Sequence, residues 1–239
     1  MGEKIMARTN KLVLVSGIQY SGKSMFCRDL ADRCPLLHHI EMDEGVEAVQ
    51  NMNLIARLLH AYRPGMYQNE RRKFQKKGVQ LTNRQLAQTL LAYVASHEGA
   101  EALLELYHLC GWLVVGERVR ICWQKRSVPM VDAVIPSRFA RGFCCESIGH
   151  VVGERQMRRA HKLLVYFNFG IDYSLKQLRK SPQRPEKHTH VDSKEIMAAF
   201  SEQQLPEARE LPNCKHVIVT SPSEMETVAQ FVLAFANEP

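Results

Sequence analysis

The 239-residue sequence is poor in the features that mark several large protein classes. No run approaches the roughly 18 consecutive apolar residues that a membrane-spanning helix needs. The opening stretch "MGEKIMARTN" is polar and has no apolar segment of the signal-peptide kind. It begins Met-Gly, but position 6 is Met rather than Ser or Thr, so the pattern for N-terminal acylation fails. The seven cysteines form no C-x-x-C pair, and only Cys144 and Cys145 are adjacent. That spacing excludes a disulfide framework and a zinc site, and predicts reduced, mostly buried thiols. There is no internal repeat. A soluble cytoplasmic protein is the expectation.

Aromatic residues are also sparse where charge is dense. The net charge is +7, and a basic surface attracts polyanions, among them nucleic acid, membranes and phosphorylated small molecules. The densest basic run, "RRKFQKK" at 71–77, contains only Phe74 as a stacking residue. A nucleic-acid surface interleaves basic and aromatic side chains or carries a recognisable motif. This run does neither and reads as a solvated helix face or loop. No nucleic-acid partner is expected.

What is present begins with "GIQYSGKS", Gly17 to Ser24, directly after the apolar run "KLVLVS". It fits G-x-x-x-x-G-K-[ST], and a chance match in a chain this long is roughly a 1% event at average residue frequencies. The two glycines let the backbone curl so that successive N–H groups point at phosphate oxygens. Those groups lead into a helix N-terminus, whose dipole favours anions. Lys23 would reach the β- and γ-phosphates, and the Ser24 hydroxyl would hold Mg²⁺. The whole loop, Gly17, Ile18, Gln19, Tyr20, Ser21, Gly22, Lys23 and Ser24, is therefore an expected nucleotide site.

The rest of the chain alternates strand and helix patterns. Strands are predicted at 11–16, at 38–44 ("HHIEMDE"), at 127–136 ending near Asp132, at 161–168 and in "KHVIVTS". Helices are predicted in "SMFCRDLADRC", with Met25, Phe26, Leu30 and Ala31 inward, in "NRQLAQTLLAYVA", in "EGAEALLELYHLCGWLVV", at 169–180, in "KEIMAAFSEQQ" and in "PSEMETVAQFVLAFANE". The stretch 138–160 has no clear period and reads as irregular or weakly helical. About five short strands, most followed by helices, predict an α/β fold with a parallel sheet covered on both faces. The helical block at about 62–126 is too large for a plain crossover and reads as a subdomain.

Two carboxylates stand where chemistry is expected, because ligands of open parallel sheets sit at the carboxyl ends of strands. Asp43 follows the second strand, with Glu41 on the same side of an extended segment. Asp132 ends the third and would support Mg²⁺. Each is equally readable as a helix cap or turn residue. Lys176, Arg179, Lys180, Arg184 and Lys187 form a basic helix and a proline-containing loop. That suits a lid over a transferred phosphoryl group, or else a solvated helix end. His108 lies on an apolar helical stretch, where a core histidine is the commoner finding.

"VSGIQYSGKS", "HHIEMDEGV", "NRQLA…LLELYHL", "VDAVIP" and "SEQQLPEARELPNCKHVIVTSPSEMETV" follow one another in the order and spacing of dephospho-coenzyme A kinase. The chain resembles that family over about residues 11–233. The resemblance implies a P-loop NTPase three-layer α/β/α fold with a parallel five-stranded sheet, a helical substrate-binding insertion and a lid. The single kinase domain would have its core in 11–61, 127–180 and 205–239, the insertion at 62–126 and the lid at 176–204. It implies ATP with Mg²⁺ as donor, and the ribose 3′-hydroxyl of dephospho-coenzyme A as acceptor. The family's D-x-D after strand two is Glu41-Met42-Asp43 here, and its general base maps onto Asp43. Arg84 and His108 match acceptor-pocket residues, although Leu109 stands where the family has Pro. Asp132 matches the strand-three Asp, with "DAVIP" in place of D-x-P-L-L.

Several positions depart from the family. Its lid arginine falls at Gln177, so Lys176 or Arg179 would take over on the ATP phosphates. Its "VIDNSGS" near the adenine is "VIVTSPS" here, 138–160 resembles an insertion, and Gln19 and Tyr20 are bulkier than usual. A kinase for a nucleoside or another small alcohol, and a catalytically weakened nucleotide-binding protein, remain the alternatives.

Overall fold

Every residue of β1 (Lys11–Gly17) is buried, which is the environment of a central parallel strand covered on both faces. A computed structural model describes residues 10–17, 20–42, 56, 60, 64–97, 99–133, 143–180 and 213–238. The chain divides into two compact units, 1–41 with 116–239, and 42–115.

The first unit holds the sheet. Besides β1 it contains β2 (Leu37–Glu41), β3 (Val128–Asp132), β4 (His161–Phe167) and β5 (Cys214–Val219). The strands pair in the order β2-β3-β1-β4-β5, and every pairing is parallel. The chain steps from β1 towards one edge, then from β3 and β4 towards the other. The strand order therefore reverses around β1, and such reversals open ligand crevices at the carboxyl ends of strands.

Alternation along the strands divides the sheet into two faces. Val13, Val15, Val128, Met130, Leu163, Val165 and Phe167 meet helix α1 (Lys23–Arg33) and the C-terminal helix Met225–Asn237 in one apolar cluster. On the other face Leu12, Leu14, Val131, Leu164 and Tyr166 are equally buried. There the helix Gly99–Gln124 reaches the sheet within this unit, where Trp123 Nε1 donates 2.8 Å to the carbonyl of Lys11. Gly116 of that helix lets a neighbour come close: a Cβ would stand 2.9 Å from Val151 Cγ2 and 3.3 Å from Ile148 Cα. Helices on both faces of a parallel sheet, with a phosphate loop between the first strand and first helix, make the three-layer P-loop fold that the sequence predicts.

Three sequence expectations change here. Met25 is 75% exposed, and Cys27 takes its place on the inner face of α1. Around the helix axis Phe26 and Cys27 flank Leu30 at about 40° and 60°, whereas Met25 lies about 140° from Leu30 and turns outward. The second strand stops at Glu41, and Met42 is already helical. Within 138–160 the structure has two regular helices, Phe143–Val152 and Glu154–Arg159. They are separated by Gly153 at φ 97, and this break after ten residues is what hid the helical period. The helix expected in "KEIMAAFSEQQ" lies outside the described residues.

The described elements of the second unit are helices. In chain order, α2 (Pro64–Lys76) starts on proline, and α3 (Asn83–His97) starts with a capping box. In that box Thr82 Oγ1 accepts from the Gln85 N–H at 3.3 Å, and Gln85 Oε1 accepts from the Thr82 N–H at 3.0 Å. The run at 71–77 is mostly exposed, as a solvated face should be. Next comes α4 (Gly99–Gln124), whose residues from 116 on belong to the first unit. Among the described residues the further α-helices are α5 (Phe143–Val152), α6 (Glu154–Arg159), α7 (Ile171–Lys180) and α8 (Met225–Asn237). No helix among the described residues is long and apolar enough to cross a membrane. Among the described residues Cys27, Cys34, Cys122 and Cys145 are buried and Cys214 is half-buried.

Candidate phosphate-binding site

Gly17 ends β1 at φ +140, with its Cα facing Phe167 of β4. A side chain there would put Cβ 2.6 Å from the Phe167 carbonyl oxygen, so only glycine lets the chain turn out of the sheet at this point. Tyr20 and Gly22 then adopt left-handed backbone at φ 60 and φ 92. Left-handed geometry at a bulky residue such as Tyr20 is uncommon and costs energy, and strain of this kind gathers at binding loops.

The loop delivers the chain into α1 in a form suited to an anion. Gly22 occupies the cap position, no side chain caps the helix, and its first turn holds no acid. Its leading N–H groups thus lack the usual cap partner, and the helix dipole places positive potential there. Lys23 is the first residue of α1 and 7% exposed. The hydroxyls of Ser16 and Ser21 are buried without a hydrogen-bond partner, a costly state that a bound polar group would relieve.

Facing this loop is a polar patch that strand alternation builds. Leu37, His39 and Glu41 share the α1 face of β2, paired with Val128, Met130 and Asp132 of β3. The apolar members lie deep. His39, Glu41 and Asp132 occupy the carboxyl-end positions. Ser24 Oγ donates to Asp132 Oδ2 at 2.5 Å, tying the first turn of α1 to the end of β3. Arg28, one turn further along α1, donates to Glu41 Oε1 from Nη2 at 2.6 Å and from Nε at 3.2 Å. Cys27 stands between these two attachments. Burial, then the nearby Asp132 carboxylate, pushes its thiol well above the ordinary cysteine range.

A hydroxyl and a carboxylate meeting beside a phosphate loop are oxygen donors of the kind a hard divalent cation prefers. Ser24 and Asp132 therefore fit Mg²⁺, the pairing that the sequence predicts.

The remaining expected residues are distributed as follows. Tyr20, Ser21, Gly22, Lys23 and Ser24 are gathered at the carboxyl end of the sheet with Gly17 and Asp132. Lys176 is exposed on α7, and Arg179 is on the same helix. Arg84 is exposed in the first turn of α3, and His108 is a backbone position within α4, both in the second unit. Ile18, Gln19 and Asp43 lie outside the described residues. Met42 is helical, and the shared side expected for Glu41 and Asp43 involves a residue outside the described ones. Glu41 is held by Arg28. Sequence reading missed Arg28, Cys27 and His39. The period-two alternation of "LHHIE" put His39 on the same face as Glu41, but nothing local indicated that α1 would cover that face.

No protein-family model matches the chain, and no curated protein matches it. Solved structures do align with it over nearly its whole length. Shikimate kinase from Acinetobacter baumannii in complex with shikimate covers 96% of this chain and 97% of its own, at 12% identity and TM-score 0.47. TT1252 from Thermus thermophilus covers 97% and 100%, at 17% identity and TM-score 0.46. A gluconokinase from Sinorhizobium meliloti 1021 covers 97% and 99%, at 14% identity and TM-score 0.38. At these values the likeness adds nothing to what the strand order and the loop already establish about the fold.

Proposed function

We propose that this chain transfers the γ-phosphoryl group of ATP to a hydroxyl of a small molecule, and that the acceptor is the ribose 3′-hydroxyl of dephospho-coenzyme A, giving coenzyme A and ADP. The observation that carries the kinase reading is the Ser24–Asp132 hydrogen bond at the mouth of an uncapped α1. It joins the phosphate loop to a strand-end carboxylate, as a metal-assisted phosphate site requires. The choice of acceptor rests on the sequence resemblance.

In this reading the N–H groups of the loop cradle the β- and γ-phosphates, and the Lys23 ammonium neutralises charge on the group in transfer. Ser24 and Asp132 hold Mg²⁺, which when bound supplies electrostatic stabilisation to the phosphate oxygens. Asp43 orients the acceptor hydroxyl and takes its proton. Lys176 and Arg179 belong to the lid, 176–204, and cover the phosphates against water. Arg84 and His108, in the insertion at 62–126, bind the acceptor.

A turnover assay with dephospho-coenzyme A, ATP and Mg²⁺ tests this directly. ADP release coupled to coenzyme A formation supports it. Turnover only on nucleosides or other small alcohols would move the acceptor and keep the kinase. A second reading, a nucleotide-binding protein with weakened catalysis, draws on Gln177, an uncharged residue on α7 where the family has its lid arginine. ATP binding without ADP release on any acceptor would favour it.

A further inference from the structure

Cys27, His39 and Asp132 come from α1, β2 and β3, and one ligand atom of each lies within 4.8 Å of the others. We propose that these three side chains form a binding site for a borderline-soft divalent cation of the zinc type, built against the phosphate loop and sharing Asp132 with it. A thiolate, an imidazole and a carboxylate are a donor set that favours Zn²⁺ and disfavours Mg²⁺, whose preference is for oxygen alone. Three protein ligands with one position left for water or another group is the arrangement of an open zinc site.

Two further observations point to an ion here. His39 Nε2 is buried without a hydrogen-bond partner, and it stands 3.8 Å from Asp132 Oδ2. That separation is close to the edge of a tetrahedron with metal–ligand bonds of about 2.0–2.2 Å. On the other side of the ring, Nδ1 stands 3.9 Å from Glu41 Oε1. A metal-bound histidine commonly directs its outward N–H at a carboxylate, and Glu41 is already anchored by Arg28. Such a site departs from the expectation, drawn from cysteine spacing, that no zinc site exists. Ligands drawn from three elements leave no motif in the sequence.

The binding does not depend on the kinase reading. One consequence does: Zn²⁺ at this site engages the carboxylate that Ser24 holds for Mg²⁺, so it antagonises nucleotide binding.

The test titrates the full chain with Co²⁺, which reports thiolate ligation by a near-ultraviolet charge-transfer band and tetrahedral geometry by its visible spectrum. One equivalent of Co²⁺, displaced by Zn²⁺, is expected to give both signals. Cys27→Ser should lose the charge-transfer band, and His39→Asn should weaken binding at least tenfold, with far-ultraviolet circular dichroism confirming that both variants are folded. Absence of the band in the folded wild-type chain, or its survival in Cys27→Ser, overturns the proposal. In a parallel arm, Zn²⁺ should abolish the thermal shift produced by ATP and Mg²⁺ in the wild type but not in Cys27→Ser. A chain that shows the cobalt band but no shift with ATP and Mg²⁺ would sink the kinase reading and leave the metal site standing.

Discussion

Gly17 packs so closely on Phe167 that a Cβ on the glycine would lie 2.6 Å from the phenylalanine carbonyl oxygen and 2.9 Å from its Cβ. The first of these is backbone and cannot rotate away. Gly17 also has φ +140, a conformation that side chains resist. Gly17→Ala should therefore destabilise the chain by about 1–3 kcal/mol in urea unfolding. It should also displace the start of the phosphate loop and weaken ATP binding. Unaltered stability together with unaltered binding would show that the exit from β1 is not set by this contact.

Lys23 supplies one buried cation to the loop. A hydrogen bond to a charged group contributes about 1.5–3 kcal/mol. Lys23→Ala should weaken ATP binding roughly ten- to hundredfold by calorimetry. Asp43→Asn, in contrast, should bind ATP as the wild type does and lose most turnover on dephospho-coenzyme A. Full turnover in that variant would remove Asp43 as the base.

Lys11 is buried, and its ammonium donates to the carbonyl oxygens of Phe235 at 2.7 Å, Ala236 at 3.4 Å and Glu238. It thereby satisfies carbonyls that the last turn of α8 leaves without helical partners, and it complements the negative end of the helix dipole. Lys11→Met keeps the apolar stem and leaves those carbonyls unsatisfied. The expected loss is about 1–3 kcal/mol in denaturant unfolding. A neutral result would mean that water replaces the ammonium at no cost.

Adjacent residues of α1 should respond in opposite ways. Phe26 is buried, edge-on to Phe167 with ring centroids 5.3 Å apart. Phe26→Ala should cost about 3–5 kcal/mol. Met25, 75% exposed, should tolerate Lys within about 0.5 kcal/mol. Equal destabilisation by the two would contradict the orientation of the helix.

The Arg33–Glu226 pair joins α1 to α8 at 2.8 Å. A hydrogen bond from the Arg33 guanidinium, and next one from Gln230, lowers the Glu226 carboxyl to about 2. The folded value is depressed, so this pair's contribution is present above the unfolded carboxylate value of about 4.3 and is lost as pH falls through about 2. Melting curves of wild type and Glu226→Gln should differ by a constant amount above about pH 5 and converge towards pH 2. Both residues are solvent-facing, so the difference should be small and shrink with added salt. A pH-independent difference would argue against the linkage.

Much of the architecture was legible in the sequence because it follows from local rules. "KLVLVS" running into "GIQYSGKS" specifies a buried strand, a turn that needs glycine, and a helix start without a cap. That is enough to expect Lys23 to reach phosphate and Ser24 to hold Mg²⁺. The apolar runs at 128–132 and 161–167 likewise declare central parallel strands, since strands buried on both faces read as continuous apolar segments. The stretch 138–160 was not legible, because α5 and α6 run only ten and six residues on either side of Gly153. Periods that short do not repeat often enough to register.

Tertiary structure alone decided which polar residues face one another. Asp132 could be read as a helix cap or turn residue until the β1–β3 pairing set it against Ser24, 108 positions away. Nothing local in the sequence marked Cys27 or His39 as part of a site. One sits where a core hydrophobe would serve, and the other sits in a strand edge with no motif around it. They meet Asp132 because the strand order β2-β3-β1 stacks two carboxyl ends beneath α1, and that order is a property of the whole sheet. Local sequence determines each element and its inner face; the partner that face receives depends on crossovers between segments far apart in the chain.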